Sequence, residues 1–292
     1  MRSNHAHGKW ILAGEHSVVR GGHALVFPLP SCNIHLSEVA VANEFHIVHQ
    51  GQSDQITQWL MHHLQRLAHQ AGAKLPPRRL EFTHQLPSQG GLGFSAALCV
   101  CAVRYALTYQ WVKPEKALAL AQSLEHGFHH QSSGVDVIGA WEHQPQYYQK
   151  GHPPELLSLA WQPNFMLSHC GQSSSTRQAV CQVNQLRAGT SEYQAIDDHM
   201  EMQVQQAKKI LTSPKTSQSV PALAQMMRQA HQCFERWGLV TSAMQEHQQH
   251  LLQLGALASK PTGSGGGGYI LSLWPDSYQR PALINGTGSI LV

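Results

Sequence analysis

The spacing of apolar residues separates a strand-rich first half of the chain from a helical second half. Within the first fifty residues, four short apolar or alternating runs are separated by Gly, Pro and Asn, which is typical of strands. The four runs are WILAG, HALVFPL, NIHLSEVAV and EFHIVHQ. Beyond them the apolar residues follow helical spacing, so we predict a helix with Ser53 as its N-cap and Gly72 as its end.

Further strands and helices follow from the same kind of pattern. The runs LEFTHQLP, QYYQKG, NFMLSHC, YILSL and SILV predict strands, and helices are predicted over residues 95–109 and 114–129. Residues 176–258 are mostly helical in pattern, with breaks at Pro214 and at Pro221, the latter a first-turn proline. Because strands precede helices without strict alternation, we predict an α+β fold.

Length and composition indicate a globular protein. The 292 residues, 42% of them hydrophobic, can bury a substantial core. The change of pattern near residue 163 predicts two domains, residues 1–163 and 164–292. The net charge is only +3 and the basic residues are scattered, which excludes a strong electrostatic preference for nucleic acid or an anionic membrane.

Cysteine and histidine usage points to a reduced compartment and to no histidine-bound metal. The six cysteines form no CxxC pair, and the 21 histidines include no HExxH sequence. We interpret the histidines as surface composition. No stretch approaches the roughly 20 apolar residues that a membrane helix needs, and the N-terminus lacks the apolar core of a signal peptide. The predicted location is the cytoplasm.

The stretch GGLGFSAAL, from Gly90 to Leu98, is the first candidate for chemistry. A strand, a glycine-rich turn and a helix start place free backbone N–H groups at the positive end of a helix dipole, which suits an anion such as phosphate. No Lys-Ser/Thr follows the glycines, so this is not a Walker A motif, and it is not GxGxxG. On its own, the stretch is equally well interpreted as a structural tight turn.

Two further stretches change that balance. GKWILAGEHSVVRGGHAL places Lys9, Glu15 and His16 around a short strand near the N-terminus. KPTGSGGGGYILSL lies near the C-terminus, where a strand begins directly after four glycines. A flexible linker is the common meaning of such a run, but too few residues follow for another domain. We therefore predict a rigid loop that approaches another segment closely.

In order and character these three stretches resemble the signature motifs of the GHMP kinases. That superfamily includes galactokinase, homoserine kinase, mevalonate kinase and phosphomevalonate kinase. The stretches are most similar to the mevalonate kinase motifs GKVILxGEHAVVxG, GLGSSAA and KxTGAGGGG, and the resemblance spans nearly the whole chain. It implies a two-domain fold, with an N-terminal domain like domain 2 of ribosomal protein S5 and a ferredoxin-like C-terminal domain.

A fourth stretch, SLEHGFHHQSSGVDV, supports the resemblance. Glu125 and Asp136 lie eleven positions apart, as do a metal-binding glutamate and a catalytic aspartate in mevalonate kinases. Glu125 also falls beside the apolar stripe of its predicted helix, where an unpaired carboxylate would be costly and a cation partner is expected. The alternatives are an edge-exposed glutamate and, for Asp136, a turn or cap residue. The stripe consists of Ala117, Ala121, Leu124 and Phe128.

The resemblance implies ATP and Mg²⁺ as cofactors and assigns roles to residues. Asp136 is the implied catalytic base, and Lys9 favours its ionised form and stabilises charge on the phosphoryl group. Mg²⁺ is implied to bind Ser95 and Glu125. The implied ATP-binding residues are Gly90, Gly91, Leu92, Gly93, Phe94, Ser95 and Ala96. The implied substrate-binding residues are Glu15, His16, Thr176, Gly263, Ser264 and Gly265.

Several of these residues also have a structural interpretation. Lys9 is alternatively a surface lysine, His16 a core or surface histidine, and Thr176 a helix N-cap. The sequence also departs from the family pattern. Phe94 replaces the first serine of GLGSS, and Val137 replaces an asparagine, as is more typical of phosphomevalonate kinases. Ser264 replaces the common alanine.

The resemblance implies phosphorylation of mevalonate, a small hydroxy acid, as the leading hypothesis. The alternatives are a kinase for phosphomevalonate or another small molecule, and a catalytically silent relative that binds a metabolite. Relatives are frequently dimers, and the sequence leaves a homodimer open.

Overall fold

Two compact units make up the chain in the computed structural model. The described residues are 2–40, 44–49, 54–88, 90–129, 132–173, 175–189, 192–278 and 290–292. The first unit comprises residues 1–8, 29–88 and 93–143, and the second comprises residues 9–28, 89–92 and 144–292. Each unit is thus assembled from separate segments. The domain division at residue 163, which assumes continuous segments, stays a prediction.

The sheet of the first unit is built around strand β2. The strands with residues in this unit are β1 (Arg2–Ala13), β2 (His23–Ala40), β3 (His46–His49) and β4 (Arg78–His84). Strands β2 and β4 pair antiparallel, from Ile34 opposite His84 to Ala40 opposite Arg78. Strand β3 pairs parallel with β4, and β1 pairs with β2.

Helix α2 forms the centre of the helical layer in the first unit. The helices there are α1 (Asp54–Gln70), α2 (Phe94–Thr108), α3 (Pro114–His129) and α4 (Val135–Trp141). Ten residues of α2 are buried, most of them Ala, Cys or Val, and such small side chains let neighbouring helices approach closely. Helices α1, α3 and α4 pack against it. An apolar surface on all sides is what a fully buried helix requires.

A second sheet, with helices packed on it, forms most of the second unit. Its strands are β7 (Asn164–His169), β8 (Ala258–Pro261), β9 (Tyr269–Trp274) and β10 (Ile290–Leu291). The unit also contains β5 (Gln146–Gln149), which pairs with β2, and β6 (Glu155–Leu156), which pairs with β5. The order β10-β7-β9-β8 is antiparallel at each pairing. The helices are α5 (Thr176–Gly189), α6 (Glu192–Thr212), α7 (Ser219–Arg236) and α8 (Ser242–Gln253).

Helices α7 and α8 cover this sheet. Both contact β8, and α6 packs on α7. Under α8 lies a buried apolar cluster that includes Met166 and Ile270 from the strands and Met244 and Leu251 from the helix. The α+β class that the pattern predicted is confirmed. In the part of the chain that the structure describes, no helix is long and apolar enough to span a bilayer.

The largest difference from the predicted elements is strand β2. HALVFPL and NIHLSEVAV predict two strands, but one strand of 18 residues runs through both as far as Ala40. Val41, the last residue of the second run, lies outside the described residues. Pro28 and Pro30 do not interrupt the strand because they lie between its two paired stretches, His23–Val26 with β5 and Ile34–Ala40 with β4. A proline has no N–H to donate, and this costs little at positions outside the hydrogen-bonded stretches.

Smaller differences concern the ends of α1 and the stripe on α3. The predicted N-cap Ser53 lies outside the described residues, and α1 ends at Gln70. Phe128, predicted to belong to the buried stripe of α3, is 39% exposed. The bounds of α3 and the place of Pro221 in the first turn of α7 agree with the prediction.

The four-glycine run between β8 and β9 is held on several sides by backbone. The N–H of Gly266 donates to the carbonyl of Leu239, and that of Gly268 donates to the carbonyl of Gln172. A Cβ on Gly268 would lie 2.6 Å from the carbonyl oxygen of Gly90, closer than real Cβ atoms come. The run is therefore a packed loop, as predicted, and not a linker.

Exchanging Gly268 for alanine tests this close approach. Gly266→Ala is the matched control, since Gly266 has a similar positive φ but open space where its Cβ would lie. Both variants should lose the roughly 1 kcal/mol that a left-handed residue costs, and Gly268→Ala should lose clearly more. Urea unfolding of both variants measures the difference. Equal losses of unfolding free energy would show that the loop accommodates the added methyl group at residue 268 without further cost.

Candidate active site

The glycine loop before α2 has a backbone that only glycine adopts readily. Gly90, Gly91 and Gly93 have φ values of 108°, 89° and 80°, where any Cβ is strained. Gly93 is the N-cap of α2, which starts at Phe94. The first N–H groups of a helix have no partner within the helix. The loop therefore offers backbone donors at a positive helix end, which is the chemistry of a phosphate site.

Lys9 is buried at this loop rather than exposed on the surface. The residue is only 1% exposed. Its Nζ donates to the carbonyl of Gly91 at 2.9 Å, and its backbone N–H donates to the carbonyl of Leu92 at 2.9 Å. The interpretation of Lys9 as a solvated surface lysine is thus wrong. An ammonium fixed beside a bare-backbone loop can stabilise negative charge bound there.

The third motif approaches the same loop. A Cβ on Gly263 would lie 3.2 Å from the carbonyl oxygen of Gly91, and Gly263 has a φ of 85°. Thr262 clamps the motif to β1, since its Oγ1 accepts from the N–H of Ile11 and donates to the carbonyl of the same residue. Gly265 is equally crowded, with Leu239 and Phe234 at about 3 Å from the place of a Cβ.

His16 lies in a strained turn directly after β1. Its φ and ψ are 61° and −48°, and the N–H of Ser17 donates to the carbonyl of Glu15 at 2.7 Å. These values define a γ-turn of the rare positive-φ type. Such a conformation costs on the order of 1–3 kcal/mol and persists only where the surroundings fix it.

The surroundings of His16 also determine the protonation state and the tautomer of its ring. Its Nε2 lies 2.8 Å from the carbonyl oxygen of Ser264, and its ring packs on Trp237 at 5.2 Å. Burial lowers the pKa of His16 to about 4. The ring is therefore neutral at pH 7, with the proton on Nε2, because a carbonyl only accepts. Nδ1 is left as an acceptor, which suits a hydroxyl better than a carboxylate.

Thr176 and Ser264 meet through their hydroxyls. The Oγ of Ser264 lies 3.4 Å from the Oγ1 of Thr176. The alternative interpretation of Thr176 as an N-cap is wrong, because the Oγ of Ser175 accepts from the N–H of Gln178 at the start of α5. Within the second unit, the structure thus brings together the predicted residues of the first and third motifs and the first part of the glycine loop.

Glu125 is a buried carboxylate in the first unit. It is 2% exposed, which excludes the edge-exposed alternative. Burial, and after it the negative charge of Glu125, raise the pKa of Cys99 well above its usual value. Cys99 lies one turn beyond Ser95 on α2, so both face the same side of that helix. The Glu125 carboxylate and the Ser95 hydroxyl are hard oxygen ligands of the kind that Mg²⁺ prefers, so these two residues fit that metal.

Asp136 is half-buried in the first turn of α4. Gly134, with a φ of 83°, is the N-cap of that helix, so the interpretation of Asp136 as a cap residue is wrong. A carboxylate in a first helical turn is stabilised by the helix dipole. The next residue, Val137, is fully buried in the core.

The ring of Phe94 packs towards strand β4. It meets His84 edge-on at 5.1 Å and Phe82 at 6.5 Å between ring centroids. These contacts explain how a large side chain is accommodated at the start of α2, where relatives carry serine. Within the first unit, Gly93, Phe94, Ser95 and Ala96 open α2, and Glu125 and Asp136 lie on the two helices packed against it.

The sequence analysis missed Lys260 as a site residue. Its Nζ lies 2.5 Å from the Oε1 of Glu15, and both side chains are almost fully buried. The available signal was the lysine that opens KPTGSGGGG, a charged residue leading directly into an otherwise small and apolar loop.

A substitution at His16 should reveal its buried neutral ring. Because the folded-state pKa is about 4 rather than 6.5, the unfolded chain takes up the proton first as the pH falls. The stability due to the neutral ring is present above about pH 6.5 and is lost towards pH 4. Relative to His16→Gln, the wild-type unfolding free energy should fall by on the order of 2–3 kcal/mol from pH 7 to pH 4.

Urea unfolding at several pH values measures this difference. His152→Gln, at an exposed turn position, is the matched control. If the difference in unfolding free energy between wild type and His16→Gln did not change with pH, the ring would titrate at the same pH in the folded and unfolded states.

Comparison with known proteins agrees with this geometry. Residues 55–142 match the family described as GHMP kinases N terminal domain. The mevalonate kinase of Thermococcus gammatolerans is 26% identical over 313 residues, which covers 95% of this chain and 90% of that protein. The mevalonate kinase of Thermococcus sibiricus is 28% identical over 214 residues, or 70% of this chain and 62% of the relative's length.

Solved structures share the fold. Mevalonate kinase of L. major in complex with R-mevalonate superposes with a TM-score of 0.79 at 24% identity, covering 98% of this chain and 91% of that one. Methanococcus jannaschii mevalonate kinase gives 0.81 at 14% identity over 100% and 96%. Phosphomevalonate kinase of Streptococcus pneumoniae, in complex with phosphomevalonate and AMPPNP, gives 0.77 at 16% identity over 95% and 93%.

The predicted GHMP kinase fold and the resemblance on which it was based are both confirmed. The chain therefore matches the GHMP kinases N terminal domain over residues 55–142, and over nearly its whole length it is similar to mevalonate kinases.

Proposed function

We propose that this kinase transfers the γ-phosphoryl group of ATP to the primary hydroxyl of mevalonate. The observation that carries the proposal is the backbone contact between the glycine loop and the third motif, with the Lys9 ammonium bound to the loop. A bare-backbone loop beside a buried ammonium suits the phosphates of a nucleotide. The relatives reported above are named mevalonate kinases, and on that basis we propose mevalonate as the acceptor.

The donor half of the site is proposed to lie along the glycine loop. Backbone N–H groups from Gly90 to Ala96 hold the phosphates, and Ser95 and Glu125 hold Mg²⁺. When bound, the metal neutralises charge that develops on the phosphates. Phe94 contributes its backbone here, while its ring packs on β4.

The acceptor half is proposed to combine residues of the first and third motifs with Asp136 and Thr176. Asp136 accepts the proton of the attacking hydroxyl, and Lys9 stabilises negative charge on the moving phosphoryl group. Glu15 and the Nδ1 of His16 accept hydrogen bonds from substrate hydroxyls. Thr176 and the Gly263–Gly265 loop, including Ser264, complete the contacts with the acceptor.

The second candidate acceptor is phosphomevalonate. Val137, where mevalonate kinases usually have asparagine, favours it. A silent metabolite-binding relative is the third hypothesis, favoured by the substitution at Phe94. The cytoplasmic location and a homodimer stay predictions from the sequence.

An acceptor assay separates these hypotheses. With ATP and Mg²⁺ present, ADP release should be rapid with mevalonate and slow with phosphomevalonate, because the site is proposed to match the smaller acceptor. The reverse order would make phosphomevalonate the substrate. No ADP release with either acceptor or with galactose would favour the silent relative.

Replacing the proposed base gives an independent test. Asp136→Asn keeps the shape but cannot take the proton, so kcat should fall by about 10²-fold or more, while the Kd for ATP changes little. Asp276→Asn is the control, since Asp276 pairs with Lys215 on the surface. Turnover by Asp136→Asn at the wild-type rate would remove this residue from its role.

A further inference from the structure

The ion pair between Lys260 and Glu15 is buried to an unusual degree. Lys260 is 0% and Glu15 2% exposed. The ammonium also donates to the carbonyl of Pro261 at 2.6 Å and lies 5.2 Å from the centroid of the Phe234 ring. Removing both charges from water costs several kcal/mol per ion, which their attraction only partly repays. A buried ion pair therefore contributes little net stability, and we looked to the functional site for its role.

Glu15 uses only one of its two oxygens in this pair. Oε1 accepts from Lys260, whereas the buried Oε2 has no hydrogen-bond partner among the described residues. A buried carboxylate oxygen that accepts no hydrogen bond is costly. Glu15 also opens the strained turn at His16, so its position is fixed. Since no other described residue donates to it, this oxygen is held in position for a donor from a bound molecule.

The charge state of Glu15 depends on its neighbours. Burial is the largest effect and raises its pKa above the usual value, and Lys260 opposes this shift both by its charge and by its hydrogen bond, with smaller contributions from the backbone N–H of Glu15 itself and from Lys9. Burial lowers the pKa of Lys260, and Glu15 opposes that shift. Without the Lys260 ammonium the largest opposing effect would be lost, so the pKa of Glu15 would rise further and favour the protonated carboxyl. Among the described residues, the other titratable groups that interact with this pair or with the adjoining His16 include His231, Cys233, Arg20 and Asp197.

We propose that Lys260 is a positioning residue for the acceptor, acting through Glu15. Its ammonium keeps the Glu15 carboxylate ionised and oriented, so that Oε2 accepts a hydrogen bond from a hydroxyl of the bound substrate. The inference rests on the proposed function and assigns a role to a residue that the sequence motifs did not. Lys260 itself touches neither the substrate nor the phosphates.

Kinetics of four variants test the proposal. The variants are Lys260→Met, Lys260→Arg, Glu15→Gln and the double variant Glu15→Gln/Lys260→Met. A hydrogen bond to a charged acceptor corresponds to about a 10- to 100-fold effect. We expect Lys260→Met to lower kcat/KM for the acceptor by about that factor at pH 7, with the KM for ATP unchanged. Lys260→Arg should recover part of the loss.

The pH profile and the double variant separate positioning from a merely structural role. In Lys260→Met the acceptor kcat/KM should recover as the pH rises, because Glu15 ionises again. In the double variant the loss should equal that of Glu15→Gln alone. Losses that are equal for acceptor and ATP, independent of pH, or additive in the double variant would overturn the proposal. If Lys260→Met does not fold, Lys260→Arg and the charge-free double variant carry the same comparisons.

An NMR titration distinguishes failure of this proposal from failure of the proposed function. With ¹³C-labelled glutamate, the carboxyl signal of Glu15, assigned through Glu15→Gln, should titrate at higher pH in Lys260→Met than in the wild type. This readout does not depend on turnover. An unchanged titration would overturn the role of Lys260 even in an active kinase. A shifted titration in a protein that phosphorylates neither acceptor would refute the proposed function instead.

Discussion

Three segments of backbone approach one another so closely in the second unit that side chains would not fit between them. A Cβ on Gly263 would meet the carbonyl of Gly91, and a Cβ on Gly268 would meet the carbonyl of Gly90. The N–H of Lys9 closes the third side by donating to Leu92. Glycine is required here by contact, not only by backbone angles. These contacts fix the glycine loop in place, and the proposed phosphate site depends on that loop being fixed.

Buried charge is the second constraint, and it lies beside the first. Lys9, Glu15 and Lys260 are almost fully buried, although ionised groups in an interior are costly unless they are paired. Nearby, His16 is held in a strained turn by the carbonyl of Ser264. Strain and buried charge persist where the surrounding structure fixes them, and they are concentrated at functional sites. Both features are found here next to the glycine contacts.

Local pattern was enough to predict much of the fold. The bounds of the helix Pro114–His129 agree with the prediction, because amphipathic periodicity and a first-turn proline are local signals. The prediction divided strand β2 between Leu29 and Asn33, at Pro30, because the cost of a proline depends on whether a neighbouring strand needs the N–H that it lacks. That is a property of the sheet, and the sequence does not contain it.

For the candidate site, motif order named candidate residues but not their physical state. The neutral ring of His16, the placement of the Phe94 ring on His84 and the Lys260–Glu15 pair all depend on contacts between distant segments. Ser175, rather than Thr176, caps α5 for a reason that only the turn geometry reveals. Burial and pairing arise from tertiary structure, so sequence reasoning could name Glu15, His16 and Phe94 without giving their protonation or partners, and it did not name Lys260 or Ser175.

A crystal structure with a non-hydrolysable ATP analogue and Mg²⁺ tests the central claim most directly. The account predicts the triphosphate on the backbone N–H groups between Gly90 and Ala96, with the metal between Ser95 and Glu125. A nucleotide bound elsewhere, with these N–H groups facing solvent or protein, would contradict it.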